Sequence, residues 1–386
     1  MMRMLPGTLA LSTLLAAQAP APAETLIAST PNVGVPPSQS PRTTAPRPGP
    51  ALAAARPRVE VTFVLDTTGS MGGLIEGAKR RIWSVARRIG EGQPRPDLRI
   101  ALVAYRDRGD QYVTQVHDFT GDMDALYARL MSFQADGGGD TPEHVSAALD
   151  DAVHRVSWSR EPGLKVVFLV GDAPPHMDYQ DGYDYRRAVQ AARQKGIAIE
   201  TIQCGGDPQT AAVWQEIASL GDGHYARIDQ NGGMPAQVTP VDAELARLNR
   251  ELASTVVAGG SEAERAKTRD RMAARIAMAP PAAAEAAGYF AKAESLASHD
   301  LVSLPEAAQR QELKDKNASP ELAGKSDADA LAYLKAQKEK RAQIQGRIDK
   351  LAKERDAQLA AGAKDAFDEK VVQALKERAA AQGVKY

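Results

Sequence analysis

Between residues 59 and 228, short apolar runs rich in β-branched residues alternate with helical stripes, and no other feature of the chain narrows its fold as much. Val59 to Leu65 is one such run and ends at Asp66. After Gly72 and Gly73, Leu74, Ala78, Ile82, Val85 and Ile89 are spaced for one face of a helix. Arg99–Tyr105 and Tyr112–Phe119 read as strands, Met123–Phe133 as a helix, and Val145, Leu149, Val153 and Val156 as the inner face of another helix. Val166 to Val170 is uninterrupted apolar sequence, the pattern of a central parallel strand covered on both faces. A helix over Tyr185–Lys195, a strand over Ile197–Cys204, a helix around Ala211–Leu220 and a short strand at Tyr225–Ile228 complete the series. The alternation predicts an α/β fold with a doubly wound, mostly parallel sheet, which also holds all three tryptophans, Trp83, Trp158 and Trp214.

What flanks this region is of a different kind. Residues 1–23 carry Arg3, an apolar stretch around Leu9–Ala17 and the small-residue end Ala21-Pro22-Ala23, which together read as a secretory signal peptide. The apolar stretch is broken by Pro6, Ser12 and Thr13 and is too short for a membrane anchor. Residues 24–57 are proline-rich and read as a disordered linker, because so little apolar surface does not offset the chain entropy lost on folding. The α/β domain is expected over 58–238. Residues 239–386 are alanine-rich with charges of both signs, and helices are their expected structure. Thr239-Pro240 reads as a helix start and Ser261 with Glu264 as a capping box. Leu334, Ile344, Ile348 and Leu351 fall on one heptad seam, but Gln337, Arg341 and Arg355 interrupt it. Helical hairpins packed on the α/β domain are therefore expected ahead of a long coiled coil.

Charge and cysteine content remove several functions. The 386 residues hold 48 basic and 49 acidic side chains, which leaves no bulk positive field for nucleic acid. Cys204 is the single cysteine, so neither an internal disulfide nor a cysteine zinc cluster is available. Its place at the end of an apolar strand predicts a buried, inert thiol.

In an open α/β sheet, ligands bind at the carboxyl ends of the strands. Three loops there carry oxygen ligands: Asp66-Thr67-Thr68-Gly69-Ser70, Gly137-Gly138-Gly139-Asp140-Thr141-Pro142, and Gly171-Asp172 after the central strand. Asp66, Thr68 and Ser70 alternate, so their oxygens are able to converge on one point. With Thr141 and Asp172 they offer two carboxylates and three hydroxyls, a set suited to Mg²⁺, with Mn²⁺ or Ca²⁺ as alternatives. Neutral hydroxyls leave the ion much of its charge and one coordination position for an acidic group of a partner. Each element also has a plainer reading as a turn or a helix cap.

At these residues the chain resembles the von Willebrand factor type A (VWA) domain, whose metal-ion-dependent adhesion site (MIDAS) reads D-x-S-x-S, then a distant Thr, then a distant Asp. The match falls on Asp66, Thr68, Ser70, Thr141 and Asp172 and covers about residues 58 to 235. The wording of Phe63–Met71, Tyr105-Arg106-Asp107 and Gly171–His176 is similar to a VWA subfamily also found joined to alpha-kinases, although no kinase motif follows residue 240. Thr68 stands in place of the first serine and keeps its hydroxyl. Ala173 stands where many relatives have glycine.

The resemblance, to an exported bacterial type, implies a periplasmic or secreted, non-enzymatic module that binds a protein carboxylate through its cation. The alternatives are a metal-assisted hydrolase using Asp66, Asp172 and His176, or a structural protein whose metal site is vestigial. Asp-Thr-Thr-Gly-Ser is not an aspartic-protease loop, and neither a nucleophile elbow nor a phosphate loop is present. His176, near Asp178 and Asp181, is expected to be a surface turn histidine.

Overall fold

Arg58–Asp66 forms strand β1, and its first residues after Arg58 are buried on both faces, as the apolar run requires. A single 3-10 turn at Gly69–Met71 leads into helix α1 (Gly72–Gly90). There follow β2 (Asp97–Tyr105), β3 (Thr114–Thr120), α2 (Met123–Ser132), α3 (Val145–His154), β4 (Leu164–Gly171), α4 (Tyr185–Gln194), β5 (Ala198–Cys204), α5 (Pro208–Leu220) and β6 (Tyr225–Ile228). The structure is a computed structural model and describes residues 56–233, 238–314, 319–359, 367–381 and 383–386. The signal-peptide reading and nearly all of the linker reading lie outside the described residues.

The six strands form one sheet in the order β3-β2-β1-β4-β5-β6. Five of them run parallel, with Phe63 beside both Leu102 and Phe168 and Asp66 beside Tyr105. β3 pairs antiparallel with β2 because the link from Tyr105 to Thr114 is too short for a crossover connection. Each face of the sheet has its own apolar core. Val64, Val103, Val167 and Leu169 face α3, α4 and α5, with Trp214 fully buried among them. Phe63, Leu65, Leu102 and Phe168 face α1 and α2.

That second core continues into the C-terminal region, which is helical: α6 (Asp242–Ala253), α7 (Glu262–Ile276), α8 (Pro280–Phe290), α9 (Glu306–Lys314), α10 (Asp327–Leu359) and α11 (Phe367–Ala381). Thr239 bonds Asp242 at the start of α6 (Oγ1 to Oδ1, 2.7 Å), and Ser261 and Glu264 form the expected capping box on α7. Phe367 of α11 packs 6.0 Å from Phe63, and Trp83 of α1 packs 5.3 Å from Phe290 of α8 (ring centroids). The seam of α10 is buried at Leu334, Ile344 and Ile348, and two of its three interruptions, Arg341 and Arg355, are buried too. Arg341 donates to Asp300 (2.6 Å), and Arg355 donates to Asp242 (2.7 Å) and Glu285 (2.6 Å). The seam is thus covered by this chain's own helices, and α/β and helical parts together form one compact unit, Ala54–Tyr386.

Candidate metal centre

Asp66 ends β1 and is fully buried at the carboxyl edge of the sheet, beside the central strand β4. The chain turns immediately, so Thr68 reaches back: its amide donates to Asp66 Oδ1 at 2.9 Å and its hydroxyl at 2.6 Å. Ser70 Oγ lies 3.4 Å from Thr68 Oγ1. Asp66 Oδ2 is buried and has no hydrogen-bond partner. Burial, and then the charge of Asp172, push the Asp66 carboxyl up to about 7 against the hydrogen bonds from Thr68.

Gly171 explains how β4 comes so near. A Cβ at this position would lie 3.0 Å from both Cβ and Oδ2 of Asp66 and would strike the buried Tyr105 hydroxyl, so only glycine passes between the two side chains. Asp172 follows, and its Oδ2 accepts from Gln230 Nε2 at 2.6 Å; Gln230 Nε2 also lies 3.4 Å from the Ser70 carbonyl. A glutamine thus ties the first and third loops together. The cysteine at the end of β5 is buried as expected, and burial raises its thiol.

The second loop is zipped onto the first by backbone bonds, Asp136 N–H to Thr67 O at 3.1 Å and Gly69 N–H to Gly137 O at 3.2 Å. Buried Arg106 spans both, donating to Thr67 O (3.1 Å) and Gln134 O (2.8 Å). Gly138 adopts φ +80° and sits so close to Thr68 that a side chain there would meet Thr68 Cβ at 3.0 Å. Thr141 is exposed on this loop, and none of the hydrogen bonds found among the described residues joins it to the other four candidates. Asp66, Thr68, Ser70 and Asp172 are thus linked by hydrogen bonds and charge, and Thr141 is not joined to them by any bond among the described residues.

Sequence reasoning missed the size of the acidic basin around them. Glu143, two residues past Thr141, is buried with Oε2 unpartnered, and burial followed by the charges of Asp66, Asp107, Asp110 and Asp172 pushes its carboxyl up to about 9. His176 departs from the expected surface turn. Its side chain is 8% exposed, and its ring nitrogens face Asp107, Asp140 and Asp178. The Tyr105-Arg106-Asp107 wording was the available signal, since each of the three borders the basin.

A buried, unpartnered carboxylate oxygen beside a second carboxylate and two hydroxyls is a donor set that fits a hard divalent cation. Residues 60–237 match the family model of the von Willebrand factor type A domain. Among curated proteins, von Willebrand factor A domain-containing protein 7 of Rattus norvegicus is 34% identical over 158 residues, 40% of this chain and 16% of that protein. The protein of the same name in Mus musculus is 38% identical over 122 residues, 31% of this chain and 12% of that one. The chain therefore spans a small part of the length of these relatives. Among solved structures, proximal thread matrix protein 1 from the mussel byssus aligns at 15% identity over 46% of this chain and 43% of that one, with a TM-score of 0.36. The chain carries a VWA domain, a module that generally mediates protein interactions and often binds a divalent cation. None of the described helices is long and apolar enough to cross a membrane.

Proposed function

We propose that the protein is an exported, non-enzymatic interaction module whose VWA domain captures an acidic side chain of a partner protein through a divalent cation, Mg²⁺ first, held by Asp66, Thr68, Ser70, Thr141 and Asp172. The observation that carries this reading is the orphaned, buried Oδ2 of Asp66 beside Asp172. Left alone, two carboxylates in a desolvated crevice repel each other, and one is driven toward its protonated form. A cation removes that penalty.

When bound, the cation supplies an electrophilic position for an oxygen ligand. The chain's own residues set how strong that position is. Thr68 and Ser70 contribute hydroxyls that carry no charge, so neutralisation rests on Asp66 and Asp172. Asp66 Oδ1 is occupied by the Thr68 amide and hydroxyl, which fixes the carboxylate and leaves Oδ2 as its free donor. Gln230 holds Asp172 in the same way. A crevice with its carboxylates fixed and its hydroxyls neutral favours an incoming carboxylate over a neutral ligand.

The test pairs calorimetry with capture. Mg²⁺ titrated into the EDTA-stripped full chain should bind, and Asp66→Ala should abolish that binding while leaving the circular dichroism spectrum unchanged. Partner capture from the exporting cell should vanish with EDTA and with Asp66→Ala. Capture that persists in both would refute the reading and transfer attention to the helical region.

A further inference from the structure

A second cluster of ligand-type side chains stands in the loops after β2, α2 and β4, with no residue in common with the first. His176 Nε2 lies 3.4 Å from Asp107 Oδ2 and 3.5 Å from Asp140 Oδ2. One ligand atom from each of the three lies within 4.8 Å of the others. Both separations to the ring exceed an ordinary N–H···O bond, about 2.7–3.2 Å, and His176 Nε2 makes no hydrogen bond. Asp107 is 4% exposed and its Oδ1 is likewise without a partner. The ring nitrogen and the Asp107 carboxylate, both buried, thus stand side by side, and each keeps one polar atom without a partner.

The surroundings fix these atoms as a metal site would. His176 Nδ1 pairs with Asp178 Oδ1 at 2.8 Å, so that a neutral ring carries its proton at Nδ1 and turns the Nε2 lone pair toward Asp107 and Asp140. Tyr179 stacks on the imidazole at 4.0 Å and donates its hydroxyl to Asp107 Oδ2 at 2.7 Å, leaving Oδ1 free. Arg108, next to Asp107 in the chain, is engaged over the Tyr179 ring and with Asp181. With the ring neutral, its lone pair faces two carboxylates, and a positive charge between them, a proton or a metal ion, removes the repulsion. For metal–ligand bonds of about 2.0–2.1 Å, ligand atoms at the corners of a tetrahedron stand about 3.3–3.4 Å apart, close to the separations seen. Asp140 is 63% exposed, so the cluster is open to solvent on one side for entry and for a further ligand.

We propose that Asp107, Asp140 and His176 bind a second divalent cation, of the zinc class, at a site whose ligands are separate from the Asp66 set. An imidazole nitrogen with two carboxylates favours Zn²⁺ over Mg²⁺ and Ca²⁺. An ion there would join the loop after β2, the Asp140 loop and the loop after β4, which also carry Thr141 and Asp172.

Zn²⁺ titrated into the untagged, EDTA-stripped full chain, with excess Mg²⁺ present, should bind one equivalent. The Asp66→Ala protein should keep that equivalent, which separates this site from the proposed adhesion site. Asp107→Asn and His176→Gln should weaken binding more than tenfold, and Asp178→Asn, which acts only by orienting the ring, by about 10-fold or more. Co²⁺ in place of Zn²⁺ should give the intense visible bands of a four-coordinate ion, absent from His176→Gln. If a buried-site variant fails to fold, Asp140→Asn, on an exposed side chain, carries the same expectation. Unchanged Zn²⁺ affinity in the folded variants, or an equivalent lost in Asp66→Ala alone, overturns the proposal.

Discussion

Asp66 and Glu143 hold carboxyls that the fold places at a disadvantage, and that disadvantage is measurable as stability. Their ordinary values, 3.8 and 4.5, are raised to about 7 and about 9 by burial and by the neighbouring acids. The folded chain therefore keeps protons that the unfolded chain has released. Where the unfolded state binds fewer protons, stability falls as pH rises. For Asp66 the loss begins above about 4 and is complete near 7; for Glu143 it continues to about 9. In EDTA, the urea midpoint of the wild type should thus fall relative to Asp66→Asn between pH 5 and 7, and relative to Glu143→Gln up to pH 9. At pH 8 each variant should be more stable than the wild type by on the order of 1–3 kcal/mol. Parallel pH profiles for all three proteins would show that these carboxyls are not strained. The sequence made Asp66 legible because its partners Thr68 and Ser70 lie two and four residues on. Glu143, Asp107 and His176 were not legible as a group, since they come from three loops, and only the sheet's register brings the loops together.

Among the elements, the strands and helices of the α/β region could be read almost to their ends, because buried runs and helical stripes follow directly from periodicity. The direction of β3 depended on a connection length, which the sequence also contains. α10 is the instructive case. Its heptad seam was visible, and its polar interruptions argued against a coiled coil, yet nothing in the spacing shows what those arginines meet. Asp242 and Glu285, which receive Arg355, lie on α6 and α8, far away in the chain. Both carboxylates are nearly inaccessible to solvent. Removing the guanidinium leaves them buried, with Arg81 at 3.3 Å from Glu285 as the remaining ion-pair partner among the described residues. Arg355→Ala should therefore cost about 3–5 kcal/mol in denaturant unfolding, well above a surface ion pair. The doubly altered Arg355→Met, Glu285→Gln protein should recover part of it, since an apolar stem beside a neutral amide leaves less charge unpaired. A cost below about 1 kcal/mol would mean that water reaches the triad.

At the scale of the whole molecule, the VWA match ends at residue 237, but the core on the α1 face of the sheet does not. Leu245, Leu248 and Leu252 of α6, Ala284 and Phe290 of α8, Ile344 and Ile348 of α10 and Phe367, Val371 and Leu375 of α11 are buried in the same cluster as Phe63, Trp83 and Phe168. The outward arginines of α1 are answered from the same region: Arg88 by Glu369 with two bonds of 2.6 and 2.8 Å, and Arg87 by Asp356 with two of 2.8 Å. Burying one large apolar side chain contributes about 1.5–3 kcal/mol. Withdrawing even four of those C-terminal side chains costs an amount comparable with the 5–15 kcal/mol that holds a typical domain folded. A fragment of residues 56–240 would hold every candidate ligand of both cation sites and still lack one wall of its core. It should be expanded, bind hydrophobic dye and melt without a cooperative transition, whereas 56–386 should melt as one unit, with tryptophan fluorescence and circular dichroism changing together. A fragment of 56–240 that unfolds cooperatively within a few degrees of the longer protein would show that the helices are an accessory to the α/β sheet. The predicted outcome makes them part of its structure, so that any partner bound at the carboxyl edge engages a domain whose rigidity is set from the opposite end of the sequence.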